Sequence, residues 1–327
     1  MNLRRRRLVA AIAAGLAVPA VLAQKLPAGK PVRIVVPYAP GGTTDILARQ
    51  IGTRLATALG HAVVVENKPG GAGTIAGAMV AAAPADGLTL LLGGVELATA
   101  PALVGDRTFL ATRDVAAVAS LTSGPLVLVV NAQKTQARSL AELLAAARAQ
   151  PGAFTIASAG NGNVTHLFGE IFKRTAKVDV RHVPYRGAVP ALTDLQAGEV
   201  TMMMVGTANV RQLVTAGNLR ALAVTGQDAS VLGLPGVPTF AQAGLPMAET
   251  DAGAWTALFA PKAIPRDAVQ QINQAVNAVL AQPELRAQLA AIGLAAEPAA
   301  PEAVQALLAA QTRVWTELTA QSGIKVE

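Results

Sequence analysis

Two glycine-rich segments carry the residue types that can hold a small anion. They are Pro40-Gly41-Gly42-Thr43-Thr44 and Pro69-Gly70-Gly71-Ala72-Gly73-Thr74. Each follows a short β-branched run and precedes a helical pattern, so each reads as a strand–turn–helix unit. Such a unit leaves backbone N–H groups without partners at a helix N-terminus, where the partial positive charge suits a carboxylate or a phosphate. Thr43, Thr44 and Asp45 double as N-cap candidates for the helix that follows. Asp45 is unfavourable as a direct contact to an anion. It would instead accept a hydrogen bond from an ammonium or a protonated group, or order a water. Gly71-Ala72-Gly73-Thr74-Ile75-Ala76 also satisfies G-x-G-x-x-A, the dinucleotide fingerprint. Its context is wrong: it follows the second strand, and the nearest acid downstream is Asp86, short of the roughly 20-residue spacing of a ribose partner.

The remaining candidates are more scattered. The 3 histidines, His61, His166 and His182, are widely spaced and form no metal-ligand pattern, so no metal site is expected. His166 falls in the first turn of a helix after Asn161-Gly162-Asn163, where it could contact a ligand or simply pack or cap. Arg186 could supply a charge-assisted hydrogen bond or be solvated. Asp251 stands just before a chain crossing and is a candidate for lining a cleft. Met202, Met203 and Met204 read as core. No Ser-His-Asp arrangement, nucleophile elbow or carboxylate pair stands out, so no catalytic residue and no cofactor is expected.

The elements that must position these residues alternate along the chain. Residues 32–36, 62–65 and 88–92 read as buried parallel strands. Between the first two, Ile46, Leu47, Ile51, Leu55 and Leu59 recur at helical spacing, and Gly60 stops the helix at its C′ position. A shorter helix at about 74–83 completes a β-α-β-α-β start, and two turns at neighbouring parallel strands would open on one crevice. An apolar run at 126–130 follows, then a helix at 140–149 with a capping box from Ser139 and Glu142. Strands at 154–158, 180–183, 200–205 and 220–225, with helices between them, make a second alternating block. Residues 255–259 read as one more strand, and three helices close the chain. Without a sheet of their own, those helices should pack back on the first block.

The expected architecture is therefore α/β, with two lobes each built on a doubly wound, mostly parallel sheet. The first lobe is placed at 24–130 plus 256–327 and the second at 131–255. Two crossings, near 128–134 and 253–260, would join them as a hinge.

Residues 1–23 read as a cleaved export signal: Arg4 to Arg7, an uncharged stretch from Leu8, and Val21-Leu22-Ala23 before Gln24. The uncharged stretch falls short of the roughly 20 residues that span a bilayer. Removing the signal lowers Lys+Arg from 27 to 23 against 20 acids, so the net charge falls from +7 to +3. No basic run remains, which excludes a nucleic-acid footprint. The absence of cysteine excludes disulfides, thiolate metal sites and cysteine nucleophiles. Aromatic residues are 3% of the chain, so the core must be aliphatic and stacking platforms are scarce.

Several stretches together match one family. They are PVRIVVPYAPGGTTDILARQI (31–51), VVVENKPGGAGTIAGAMVAAAPADGLTLLLG (63–93), SAGNGNVTHLFGEIF (158–172), VPYRGAVPALTDLQAGEV (183–200), LPGVPTFAQAGLP (234–246) and WTALFAPKAIP (255–265). The chain resembles the Bug family of extracytoplasmic solute receptors, the periplasmic component of tripartite tricarboxylate transporters. The resemblance implies a monomeric, type II-like periplasmic binding protein of the Venus-flytrap kind, with a small carboxylate in the cleft and transporter membrane subunits as partners. It implies that the first two turns hold a ligand carboxylate, here through Tyr38, Pro40, Gly41, Gly42, Thr43, Thr44, Asp45, Asn67, Gly70, Gly71, Ala72, Gly73 and Thr74. It places contacts to the ligand's distal end at Ser158, Asn161, Asn163 and His166, and at Tyr185, Arg186 and Gly187. Thr201 and Asn163 depart from the family's usual aspartate and serine. A receptor feeding a sensor, or an exported α/β enzyme acting on carboxylates, are the alternatives.

Overall fold

The computed structural model describes residues 26–322 apart from 39, 42, 104–108, 161–163, 186, 227–232, 248–249 and 251–252. The expected export signal at 1–23 and the candidates Gly42, Asn161, Asn163, Arg186 and Asp251 lie outside the described residues.

Along the chain, β1 (Val32–Val36) leads to α1 (Thr43–Leu59) and β2 (Val63–Asn67). A single 3-10 turn at Gly71–Gly73 runs into α2 (Thr74–Ala81), then β3 (Thr89–Gly94), α3 (Val95–Leu103), α4 (Ala111–Asp114) and β4 (Val115–Ser123). The second block holds β5 (Leu126–Asn131), α5 (Leu140–Ala149), β6 (Phe154–Ser158), α6 (Val164–Ala176) and β7 (Val180–Pro184). It ends with α7 (Ala188–Ala197), β8 (Met202–Gly206), α8 (Thr207–Thr215) and β9 (Leu219–Val224). The chain closes with β10 (Thr256–Pro261), α9 (Arg266–Leu280), α10 (Pro283–Ala291), β11 (Ala295–Ala296) and α11 (Pro301–Ser322).

These strands form two sheets, a six-stranded one ordered β11-β4-β10-β3-β1-β2 and a five-stranded one ordered β7-β6-β8-β5-β9. β1 pairs in parallel with β2 and β3, and β6 with β7 and β8. The strand that each crossing feeds runs against its neighbours: β5 is antiparallel to β8 and β9, and β10 to β3 and β4. The expected division at residue 130 falls inside β5. The apolar run Leu126 to Val130 belongs to the second sheet, so the outward crossing is the short Gly124-Pro125 link. An unbroken apolar run suits a central strand of either sheet, and only pairing decides between them.

Burial follows the sequence pattern closely. β3 and β5 are buried along their whole lengths, as continuous apolar runs covered on both faces must be. In α1, Leu47, Ala48, Ile51 and Leu55 face the core, whereas Ile46 is 38% exposed and lies off the stripe. Gly60, at φ +69°, closes that helix by donating its N–H to the Ala56 carbonyl at 3.1 Å. The capping box at α5 is half as expected. Glu142 N–H donates to Ser139 Oγ at 3.2 Å, but the Glu142 carboxylate accepts from Arg138 N–H one residue further out. The closing helices pack back on the first sheet, α9 against α1 and β4, and α11 against α3 and β4. No helix among the described residues is long and apolar enough to cross a membrane.

Candidate functional site

A cavity of about 690 Å³ opens between the two sheets. It is reached by the carboxyl ends of β1, β3 and β8 and by the two crossings at Gly124-Pro125 and Ala254-Trp255. The crossings lie side by side, with Ala254 N–H donating to the Gly124 carbonyl at 2.9 Å.

The first turn is held shut by a polar cluster. Gly41, at φ +87°, donates its N–H to Asp45 Oδ2 at 3.0 Å, and Arg49 Nε donates to the same oxygen at 3.0 Å. Asn67 Nδ2 donates to Asp45 Oδ1 and to the Tyr38 carbonyl, each at 3.0 Å, which ties the end of β2 to the turn after β1. The Arg49 guanidinium first, then the Gly41 N–H, pull the Asp45 carboxyl down to about 2. The polar groups of Asp45 and Asn67 are therefore engaged within the protein. Their role here is to shape the turn that leaves Thr44 and Tyr38 on the cavity wall.

The second turn is built from consecutive residues on the left-handed side of φ. Gly70, Gly71, Ala72 and Gly73 stand at φ +123°, +58°, +48° and +88°. Ala72 adopts this conformation despite its Cβ, at a cost of roughly 1–2 kcal/mol. Thr74 Oγ1 donates to the Gly71 carbonyl at 2.7 Å and locks the turn onto α2. Gly73 N–H closes the curl on the Gly70 carbonyl at 3.1 Å, and a turn of this kind can present its remaining N–H groups to an anion. Gly70, Ala72 and Gly73 line the cavity, whereas Pro40, Gly41, Gly71 and Thr74 stand behind the wall.

In the second lobe, Gly160 and Ala188 reach the cavity, but Ser158, His166, Tyr185 and Gly187 do not. Ser158 Oγ accepts from Gly160 N–H at 3.2 Å and is hydrogen-bonded to His182 Nε2 at 2.7 Å. The Tyr185 hydroxyl donates to Asp194 Oδ2 at 2.7 Å, and burial together with that carboxylate pushes its pKa up to about 12. Gly187, at φ +121°, serves as the N-cap of α7. These residues frame the turns rather than face the cleft.

Two of the three histidines, His166 and His182, are brought together, whereas His61 lies apart with its Nδ1 on the Lys30 carbonyl at 2.9 Å. The rings of His166 and His182 stack with centroids 3.9 Å apart and 13° between planes. Burial lowers both to about 4, helped by the Lys173 charge at His166 and by His166 and Lys173 at His182, where Glu170 opposes the shift. Both are neutral near pH 7. His166, Glu170 and His182 offer ligand atoms within 4.8 Å of one another, a grouping that could hold a metal ion. Two of those atoms are already engaged, His182 Nε2 by Ser158 and Glu170 Oε1 by Lys173 Nζ at 2.7 Å.

Glu96, Thr207 and Trp255 line the cavity although none is among the candidate site residues read from the sequence. Thr207 Oγ1 and Trp255 Nε1 are buried and have no hydrogen-bond partner, an arrangement that proteins rarely leave without a ligand or water to complete it. Glu96 and Thr207 each follow a strand-end glycine, Gly94 and Gly206, so the same strand–glycine–helix grammar could have found them.

Residues 47–323 match the tripartite tricarboxylate transporter family receptor. A protein from the tcbD-tcbE intergenic region of Pseudomonas sp. strain P51 is 38% identical over 97% of this chain and 94% of its own. Among solved structures, the periplasmic binding protein BugD is 30% identical, covering 91% of this chain and 99% of its own, with a TM-score of 0.74. The R. palustris protein Rpa4515 with adipate is 30% identical over 91% and 99% of the two chains, TM-score 0.76. MatC from Rhodopseudomonas palustris with bound malate is 31% identical over 89% and 99%, TM-score 0.71. The fold, the strand-end turns and these matches agree, and the chain belongs to the Bug/TctC family of tripartite tricarboxylate transporter receptors, which are periplasmic solute-binding proteins.

Proposed function

We propose that this protein captures a small carboxylate in the inter-lobe cavity and delivers it to the membrane subunits of a tripartite transporter, without catalysing a reaction. The observation that carries the reading is the distribution of donors around the cavity. The glycine turn Gly70 to Gly73 faces it from the first lobe, Thr207 from the second and Trp255 from the return crossing. A ligand that satisfies donors on both lobes stabilises the closed form by the extra contacts it makes there. The division into lobes follows the sheets, one at 26–123 plus 256–322 and the other at 126–224, with Gly124-Pro125 and Gly253 to Trp255 as the hinge. The export signal at 1–23 supports a periplasmic site of action. The carboxylates bound by the Rpa4515 and MatC structures support the ligand class.

A thermal-shift and calorimetric screen of the mature chain against mono- and dicarboxylates, aromatic acids and amino acids tests this. A true ligand at 100 times its Kd stabilises the fold by about 2.7 kcal/mol. Thr207→Val should weaken that ligand roughly 10- to 150-fold, the worth of one hydrogen bond to a charged group. Binding of only neutral compounds, or full affinity in the Thr207 variant, would remove the basis of the reading.

A further inference from the structure

Glu96 stands in the first turn of α3, against the second glycine turn. Its Oε1 accepts the Gly94 N–H at 2.8 Å. Its Cγ lies 3.2 Å from the place where a Cβ on Gly73 would sit, and its Oε2 3.3 Å from that place on Gly94. Tyr38 shares the cavity wall with Glu96, and burial first, then the Glu96 charge, raises the pKa of its phenol. Among the described residues that line the cavity there is no lysine, arginine or histidine, so Glu96 has no cationic partner there.

We infer that Glu96, with Tyr38, recognises an ammonium group, and that the ligand is an amino carboxylate rather than a dicarboxylate. Its carboxylate would rest on the glycine turn and its ammonium on Glu96. The inference rests on the carboxylate reading of the cavity and narrows it.

Three physical points support it. A second ligand carboxylate would meet Glu96 as a like charge in a confined, weakly screened space, whereas an ammonium would neutralise it. Capping alone does not require the charge, because a glutamine oxygen would accept the Gly94 N–H equally well. The charge carries a standing cost: burial raises the Glu96 pKa, opposed by its own backbone N–H, the Tyr38 phenol and the Gly94 N–H. A ligand cation relieves that cost, and a protein carboxylate does not otherwise gain from it. Much of the remaining wall is apolar, from Leu92, Val95, Leu126, Leu167 and Leu294, which suits an uncharged ligand body.

Isothermal calorimetry on pairs that differ only in the amino group decides the matter: leucine against 4-methylpentanoate, phenylalanine against 3-phenylpropanoate, glutamate against glutarate. The wild type should bind the amino member of at least one pair roughly 10-fold or more tightly. Glu96→Gln should erase that preference by weakening the amino member, and its unliganded melting curve reports whether it folds. Equal affinity within every pair, or a preference that survives in Glu96→Gln, overturns the proposal. Either of these leaves the carboxylate reading standing. That reading fails separately if leucinamide binds as tightly as leucine, and silence across all pairs overturns both.

Discussion

Asp45 lies beside an anion-binding turn yet works from behind it. Its two oxygens collect the Gly41 N–H, the Arg49 guanidinium and the Asn67 amide, so the negative charge is satisfied internally and does not oppose an incoming carboxylate. The carboxyl titrates at about 2 in the folded protein, below its ordinary range near 4. A depressed pKa means that the contribution is present above the unfolded value and is lost as the pH falls from about 4 towards 2. Because Arg49 is half exposed, solvent screening limits the contribution to about 1 kcal/mol. Urea denaturation of wild type and Asp45→Asn should therefore differ by about that amount at pH 7, and the gap should narrow by pH 3. A gap that ignores pH would show that the cluster acts through packing rather than charge.

At the scale of elements, the site is a set of strand ends, and glycine sets how near they approach. A Cβ on Gly94 would lie 2.3 Å from the Trp255 carbonyl oxygen, a backbone atom that cannot turn aside. Gly94→Ala should therefore push β3 and β10 apart at Gly94↔Thr256, where they pair, and cost about 1–3 kcal/mol. It should also displace Glu96 and Trp255 and weaken ligand binding, which calorimetry and thermal melting would separate. Full stability in this variant would mean that the return crossing gives way freely. The same grammar explains what could be read in advance. The turns after β1 and β2 are announced by proline and clustered glycines, and the structure puts members of both on the cavity wall. The turns after β3 and β8 follow the same rule with only Gly93-Gly94 and Gly206 as signals, so Glu96 and Thr207 passed unnoticed. Local pattern also located helices and strands well, down to the cap at Gly60. It failed where pairing is non-local. Nothing in Leu126 to Val130 says which sheet it joins, and nothing in the spacing of His166 and His182 says that their rings meet.

Taken whole, the molecule is less divided than its two sheets imply. One apolar cluster runs through Val35 and Leu91 of the first sheet, Leu128, Val130 and Met202 of the second, and Trp315 of the closing helix. At its centre Trp315, fully buried, stacks on Phe168 of α6 with ring centroids 6.0 Å apart. A helix from the end of the chain, packed on α3 and β4, thus reaches α6 of the second lobe. Lobes coupled through a continuous core should unfold together, as one calorimetric transition. Trp315→Ala removes the side chain that joins them and should cost about 3–5 kcal/mol. The sequence holds 2 tryptophans, one here and one, Trp255, on the cavity wall, which gives two further readouts. Trp315→Phe keeps most of the contact and leaves Trp255 as the sole indole, so any ligand-dependent change in emission reports the cavity alone. In Trp315→Ala the same probe should respond to denaturant at a different midpoint from far-ultraviolet circular dichroism, because the two lobes then unfold separately and Trp255, at the return crossing into β10, follows the first. Coincident midpoints in that variant would mean that the crossings at Gly124-Pro125 and Ala254-Trp255, not the shared core, make the two lobes one cooperative unit.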